Sequence, residues 1–215
     1  TSTERPNTLP FMELDEFVDA NAPDPSSSGF RKVNKRLLEI PFDGVAMVKA
    51  VSMIAYTGEV TFTGKSSAEG GIAGFVKDAV SGEGTPIMEA EGSGTLYVAD
   101  QGKKVQILSL DEGESISVNG MDVLAFEDGV DYEINTVGGL SQAAAGGLTN
   151  VFLTGPGDVA ITTHGDPVVI QPPVTTDPDA TVAWSANLSP SIGTNKTIEI
   201  GQKSGEMMQM QFTGG

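Results

Sequence analysis

An apolar-Ala-aromatic triplet recurs three times in strand-like surroundings, at Ile54-Ala55-Tyr56, Leu124-Ala125-Phe126 and Val182-Ala183-Trp184. A glycine turn element keeps step with it, as Gly-x-Gly in Gly92-Ser93-Gly94 and Gly155-Pro156-Gly157 and as the glycine pair of Thr213-Gly214-Gly215. The alanines lie 70 and 58 residues apart and the turn glycines 63 and 59. Two markers with nearly the same period predict a triplicated β module, because a fixed internal period restricts a chain to architectures that repeat one unit.

Hydrophobic patterning agrees with an all-β class. The runs 37–40, 46–51, 53–56 and 59–63 are short, β-branched or aromatic, and separated by Gly, Pro or Asp, as antiparallel strands require. Ile87 to Ala90 and Thr95 to Ala99 are expected as two strands joined at the first Gly-x-Gly turn. In the second unit, 105–110, 115–118, 123–126 and 131–135 read as strands. Asn119-Gly120 signals a hairpin, since both residues tolerate positive φ. The runs 149–153 and 159–163 flank Gly155-Pro156-Gly157, which reads as a hairpin turn. In the third unit, 168–171, 181–184, 197–200 and 207–212 are expected strands, with Met208, Met210 and Phe212 on one core-facing face. Short helices are expected at 75–80, where apolar residues fall at helical spacing, and at 140–145.

The predicted organisation is an irregular acidic arm over 1–29, followed by modules at 30–104, 105–166 and 167–215. Within the arm, Phe11, Leu14, Phe17 and Val18 fit one or two turns of acidic amphipathic helix. By internal symmetry the third module is expected to lack its final strand, which leaves the 207–212 run beside an unpaired edge.

Charge narrows the range of functions. The chain has 29 acidic residues against 12 Lys and Arg, a formal net charge of −17, and all three arginines lie at or before Arg36. Phosphate backbones are held chiefly by Arg and Lys and are repelled by a strongly negative field, so nucleic acid is not an expected partner. The basic run Arg31 to Arg36 reads as a charged strand edge that discourages unwanted pairing. The absence of Cys excludes disulfides, thiolate zinc sites, iron-sulfur clusters and thiol nucleophiles. No apolar run approaches the roughly 18 residues of a membrane-spanning helix, so membrane insertion is not expected. No basic start and apolar region mark a secretory signal, and the cytoplasm is the expected location.

Candidate chemistry is sparse. The single His164 follows a strand and reads as a turn histidine, since no second His joins it and a cupin-type metal centre needs several. Gly155-Pro156-Gly157 lacks the Lys-Ser/Thr and the strand-to-helix setting of a phosphate-binding loop. Asp128, Asp131 and Glu133, and likewise Asp177 and Asp179, lack the spaced ligand set of a calcium loop and read as solvated turn acids. No Gly-x-Ser-x-Gly elbow supports a Ser-His-Asp triad through His164. No catalytic, cofactor-binding or metal-binding residue is therefore assigned, and no cofactor is expected.

Four stretches taken together resemble a known family: 94–100 (Gly-Thr-Leu-Tyr-Val-Ala-Asp), Ser117-Val118-Asn119-Gly120 leading into 123–126, 154–161 (Thr-Gly-Pro-Gly-Asp-Val-Ala-Ile) and 182–188 (Val-Ala-Trp-Ser-Ala-Asn-Leu). The set is similar to the altered-inheritance-of-mitochondria family, a mitochondrial biogenesis domain with many bacterial and archaeal members. Its acidic composition and its Trp-Ser-Ala-Asn-Leu stretch resemble actinobacterial members. The resemblance covers about 30–215. It implies three β-sandwich modules like those of the tryptophan RNA-binding attenuation protein, related to the double-stranded β-helix and set around a pseudo-threefold axis. It carries no catalytic or binding residues over to this chain. The expected function is a non-enzymatic scaffold or binding protein that self-associates or holds a protein partner. The alternative is a small-molecule or carbohydrate-processing enzyme using carboxylates in a cleft between modules. An RNA binder ranks last.

Overall fold

The computed structural model describes residues 14–20, 29–64, 87–136, 149–194 and 208–213. The described residues are mostly antiparallel β, with one short α-helix among them, α1 (Leu14–Ala20), whose Leu14, Phe17 and Val18 are largely exposed. The expected helices at 75–80 and 140–145, the strand at 197–200 and the glycines of Thr213-Gly214-Gly215 lie outside the described residues.

The largest sheet has β1 (Arg31–Asn34), β2 (Leu37–Lys49), β3 (Met53–Gly64), β4 (Ile87–Val98), β5 (Lys104–Leu110), β7 (Val123–Glu127) and β10 (Gly157–Thr163). Its order is β3-β4-β2-β7-β10-β5. One long edge of β2 pairs with β4 along its whole length, while the other is shared between β1 at Leu37 to Glu39 and β7 at Ala46 to Val48. The sheet curls back on itself, and Val105 N–H donates to Lys35 O at 2.8 Å, tying β5 to the β1–β2 turn. Inside the curl, Leu38, Ile40, Val48, Leu96, Val98, Val105, Leu124 and Ala160 form a continuous core.

A second sheet, β12 (Ala183–Ser185), β6 (Ser115–Asn119), β9 (Thr149–Thr154) and β8 (Asp131–Thr136), stacks on the first. Met47, Val123, Phe126, Val159 and Ile161 of the large sheet meet Val118, Val151 and Leu153 of the second in one apolar layer. A third sheet places β14 (Met208–Phe212) between β11 (Val174–Thr176) and β13 (Ser191–Thr194). It buries Met210 and Phe212 against Trp184 and Ile192, with the Trp184 and Phe212 rings 5.9 Å apart. β14 is thus a central strand paired on both sides, so the Met208–Phe212 part of the expected run does not border an open edge.

Glycine accounts for most departures from expectation. The run 37–40 and most of 46–51 are one strand, as are 53–56 with 59–63 and Ile87 to Ala90 with Thr95 to Val98. The first Gly-x-Gly is the bend of β4, not a turn between strands. Gly92 faces Gly44 of β2 and Val60 of β3, and Gly94 faces Gly58, so the bends of three neighbouring strands coincide. Gly44, Gly58 and Gly92 all have positive φ, which side chains rarely adopt, and a Cβ on Gly92 would overlap the Glu59 carbonyl. The bend is sharp. Six residues of extended strand span about 20 Å, yet the Tyr56 and Phe62 rings stand 5.4 Å apart, edge to face.

Two further turns join sheets rather than hairpin strands. Asn119-Gly120 leads from β6 to β7, and Gly155-Pro156-Gly157 leads from β9 to β10; in each case the flanking strands belong to different sheets. Neither Asn119 nor Gly120 has the positive φ of a tight hairpin turn. The Asn119 side chain instead donates to Pro178 O and Thr181 O, both at 3.3 Å, and accepts from Met121 N–H at 3.1 Å. The expected strand at 168–171 is exposed irregular chain, flanked by Pro167 and by Pro172-Pro173, which lack the N–H a ladder requires.

The three triplets occupy unlike positions. Ala55 is exposed on β3, Ala125 is fully buried at the centre of the large sheet, and Ala183 is part-buried on β12. Strand pairing also crosses the expected module limits, through β2 with β7 and β12 with β6.

Candidate functional site

The densest ionisable cluster among the described residues is buried where β2, β4, β5 and β7 converge. Lys49 ends β2, Asp100 follows β4, Lys103 precedes β5, and Asp122 sits in the turn before β7. Gln101 and Gly102, both at positive φ, turn the chain so that Lys103 N–H bonds to Asp100 O at 2.8 Å. Both lysines therefore reach one carboxylate. Asp100 Oδ2 lies 3.0 Å from Lys49 Nζ and 3.5 Å from Lys103 Nζ, and it accepts from the Thr162 hydroxyl at 3.3 Å. Lys103 Nζ donates to Asp122 Oδ1 at 2.9 Å, while Lys49 Nζ donates to Met121 O at 2.6 Å.

The two acids respond oppositely to burial. For Asp100, burial raises the pKa, but hydrogen bonds and charge from Lys49 and Lys103 outweigh it and hold the carboxyl below its ordinary value. For Asp122, burial is the largest effect and the Lys103 bond offsets only part of it, so the carboxyl sits above its ordinary value. Among the described residues no buried side-chain nitrogen or oxygen lacks a partner. Two cations and two anions, linked in the order Lys49–Asp100–Lys103–Asp122, form a clamp between strand ends.

Two concavities lie elsewhere. At the glycine bend lies a hollow of about 640 Å³ lined by Tyr56, Gly58, Glu59, Thr61, Glu91 and Gly92. A smaller cleft of about 280 Å³ opens where β5 meets the β1–β2 turn, lined by Lys32, Lys35, Lys104, Gln106 and Asp166.

The residues considered from sequence are dispersed. His164 is exposed in the bend after β10. Asp128, Asp131 and Glu133 are exposed around the β7–β8 turn. Asp177 caps a single 3₁₀ turn, accepting from Asp179 N–H at 2.8 Å. No three His, Asp or Glu side chains converge as a metal site among the described residues. The buried clamp was not visible in the sequence, because Lys49 and Lys103 sit at strand ends where lysine is ordinarily solvated. The one available signal was Asp100-Gln101-Gly102-Lys103, a turn with opposite charges at its two ends.

The family model described as mitochondrial biogenesis AIM24 matches residues 32–215. The fold is similar to the crystal structure of a Streptococcus pyogenes protein, SPYM3_0169, with a TM-score of 0.66 and 24% identity, covering 86% of this chain and 88% of that one. No curated protein matches the chain in sequence.

Proposed function

The chain belongs to the mitochondrial biogenesis AIM24 family, and from that premise we propose that it is a non-enzymatic, cytoplasmic binding scaffold that associates with further copies of itself. The observation that carries this is β3. It is a twelve-residue strand at the end of its sheet, exposed along most of its length, with β4 as its strand neighbour among the described residues. Glu59 is its only charged residue, and Met53, Ile54 and Tyr56 are exposed. Edge strands are ordinarily guarded by charge or proline, and one that carries so little of either is suited to pairing with another chain. No helix among the described residues is long and apolar enough to cross a membrane.

Light scattering across a micromolar concentration series tests the reading. Association that is lost in an Ile54→Lys/Thr61→Lys variant supports it. Both positions are exposed, so the substitutions do not disturb the core. A parent chain that stays monomeric contradicts it.

A second reading, a carbohydrate- or small-molecule-processing enzyme, is favoured by one observation: Glu59, Glu91 and Tyr56 share the hollow at the glycine bend. Hydrolysis of aryl glycosides that is abolished by Glu91→Gln would move the assignment to it.

A further inference from the structure

The cations of this acidic chain are unevenly spent. Seven Lys and Arg lie among the described residues. Lys49, half-buried, and Lys103, buried, are engaged in the clamp, and Arg31 is paired with the buried Glu39. The other four, Lys32, Lys35, Arg36 and Lys104, come from two sequence-distant stretches that the Val105 to Lys35 backbone bond brings side by side. Three of them line the small cleft, where Asp166 is the one acidic lining residue among the described residues. A locally positive hollow in a chain of net charge −17 concentrates the field that attracts an anion.

The cleft already engages an oxyanion of its own. Asp166 Oδ1 lies 2.7 Å from Lys104 Nζ although the Asp166 side chain is 88% exposed, and the hydrogen bond and charge of Lys104, with the charge of Lys35, lower its pKa. It sits in the bend after β10, so it can swing away without disturbing a strand.

We propose that the cleft of Lys32, Lys35 and Lys104 binds the phosphate group of a small molecule, with Asp166 as an internal occupant that the incoming phosphate displaces. Ammonium groups suit phosphate, which they meet as point charges without the planar match that Arg makes with carboxylate. A doubly charged anion also neutralises three lysines better than the single carboxylate it replaces. The volume of about 280 Å³ admits inorganic phosphate or a small phosphate monoester, and falls below the usual size of a pocket for larger ligands. The site is separate from β3, so it neither requires nor excludes self-association.

The test is a titration of the full chain with sodium phosphate, followed by the backbone amide signals of Val105 and Gln106, against sodium chloride at matched ionic strength. Saturable shifts with phosphate alone are expected. Lys35→Met and Lys104→Met should each weaken binding by about five- to tenfold, the loss of one charged hydrogen bond in a part-exposed site. Asp166→Asn should tighten it by a few-fold, since the internal competitor loses its charge. These positions are at the surface, and unchanged melting temperatures will certify that the variants fold. Shifts that do not saturate, that chloride reproduces, or that Asp166→Asn leaves no tighter overturn the proposal and leave the lysines as guards of a sheet edge.

Discussion

Replacing Lys103 by Met exposes the logic of the buried clamp. Lys103 Nζ is the cation in contact with Asp122, at 2.9 Å, and the two side chains are 9% and 7% exposed. Removing it leaves a carboxylate in the interior whose remaining compensation is the more distant charge of Lys49. Breaking a buried pair from one side costs about 3–5 kcal/mol, because the partner's desolvation is no longer offset. Lys49→Met should cost less, about 1–3 kcal/mol, since Asp100 keeps Lys103 at 3.5 Å and the Thr162 hydroxyl at 3.3 Å. Urea unfolding at neutral pH measures both, with the m-value checked for constancy so that midpoints compare directly. Lys103→Met combined with Asp122→Leu should recover most of the loss, as apolar replacement of a whole buried pair does. The Asp122 carbonyl that accepts from Thr162 N–H at 2.8 Å is backbone and survives the double change. A Lys103→Met chain within about 1 kcal/mol of the parent, the range of exposed pairs, would refute the reasoning.

Further outcomes follow from the same geometry. The folded-state carboxyl of Asp100 is depressed, so its contribution is present above the unfolded value and is lost as pH falls through the folded one. That of Asp122 is raised, so its contribution is present below the unfolded value and is lost as pH rises through the folded one. Urea midpoints taken between about pH 3 and pH 7 should therefore show the parent gaining on Asp100→Asn, and losing ground to Asp122→Asn, as pH rises. Gly92→Ala should destabilise far more than Gly44→Ala. Both have positive φ, worth about 1–3 kcal/mol of strain, but a Cβ on Gly92 overlaps the Glu59 carbonyl while one on Gly44 meets nothing within 4 Å. Phe126→Ala should cost about 3–5 kcal/mol by thermal or urea unfolding, since the ring is fully buried between two sheets and packs at a tilt against Tyr132 at 5.1 Å.

Alternation and turn chemistry carried the all-β class and most strands of the second unit, where 105–110, 115–118, 123–126, 131–135, 149–153 and 159–163 sit within a residue or two of the observed strands. What sequence could not supply was the meaning of its glycines. A glycine that ends a strand and one that bends it leave the same mark on a linear pattern. Only the cross-strand pairing of Gly44, Gly92, Gly94 and Gly58 separates the two. The same limit hid the sheet changes at Asn119-Gly120 and Gly155-Pro156-Gly157, since a turn is legible locally but the sheet that receives the next strand is set by distant partners. The aromatic triplets matched in letters while their surroundings diverged, with Tyr56 exposed, Phe126 buried and Trp184 packed on Phe212. The clamp was missed for a related reason. Asp100 and Asp122 lie inside or beside the stretches that carried the family resemblance, yet their value depends on lysines outside those stretches, Lys103 just past the first and Lys49 lying 51 residues before Asp100.

The central claim is that the exposed edge of β3 joins copies of this chain, and the most direct measurement is the molar mass of the parent and of the Ile54→Lys/Thr61→Lys variant by light scattering over a micromolar concentration series. The account predicts a mass above that of one chain for the parent and that of one chain for the variant, with both folded. A parent that is monomeric throughout, or a variant that associates as the parent does, would contradict it.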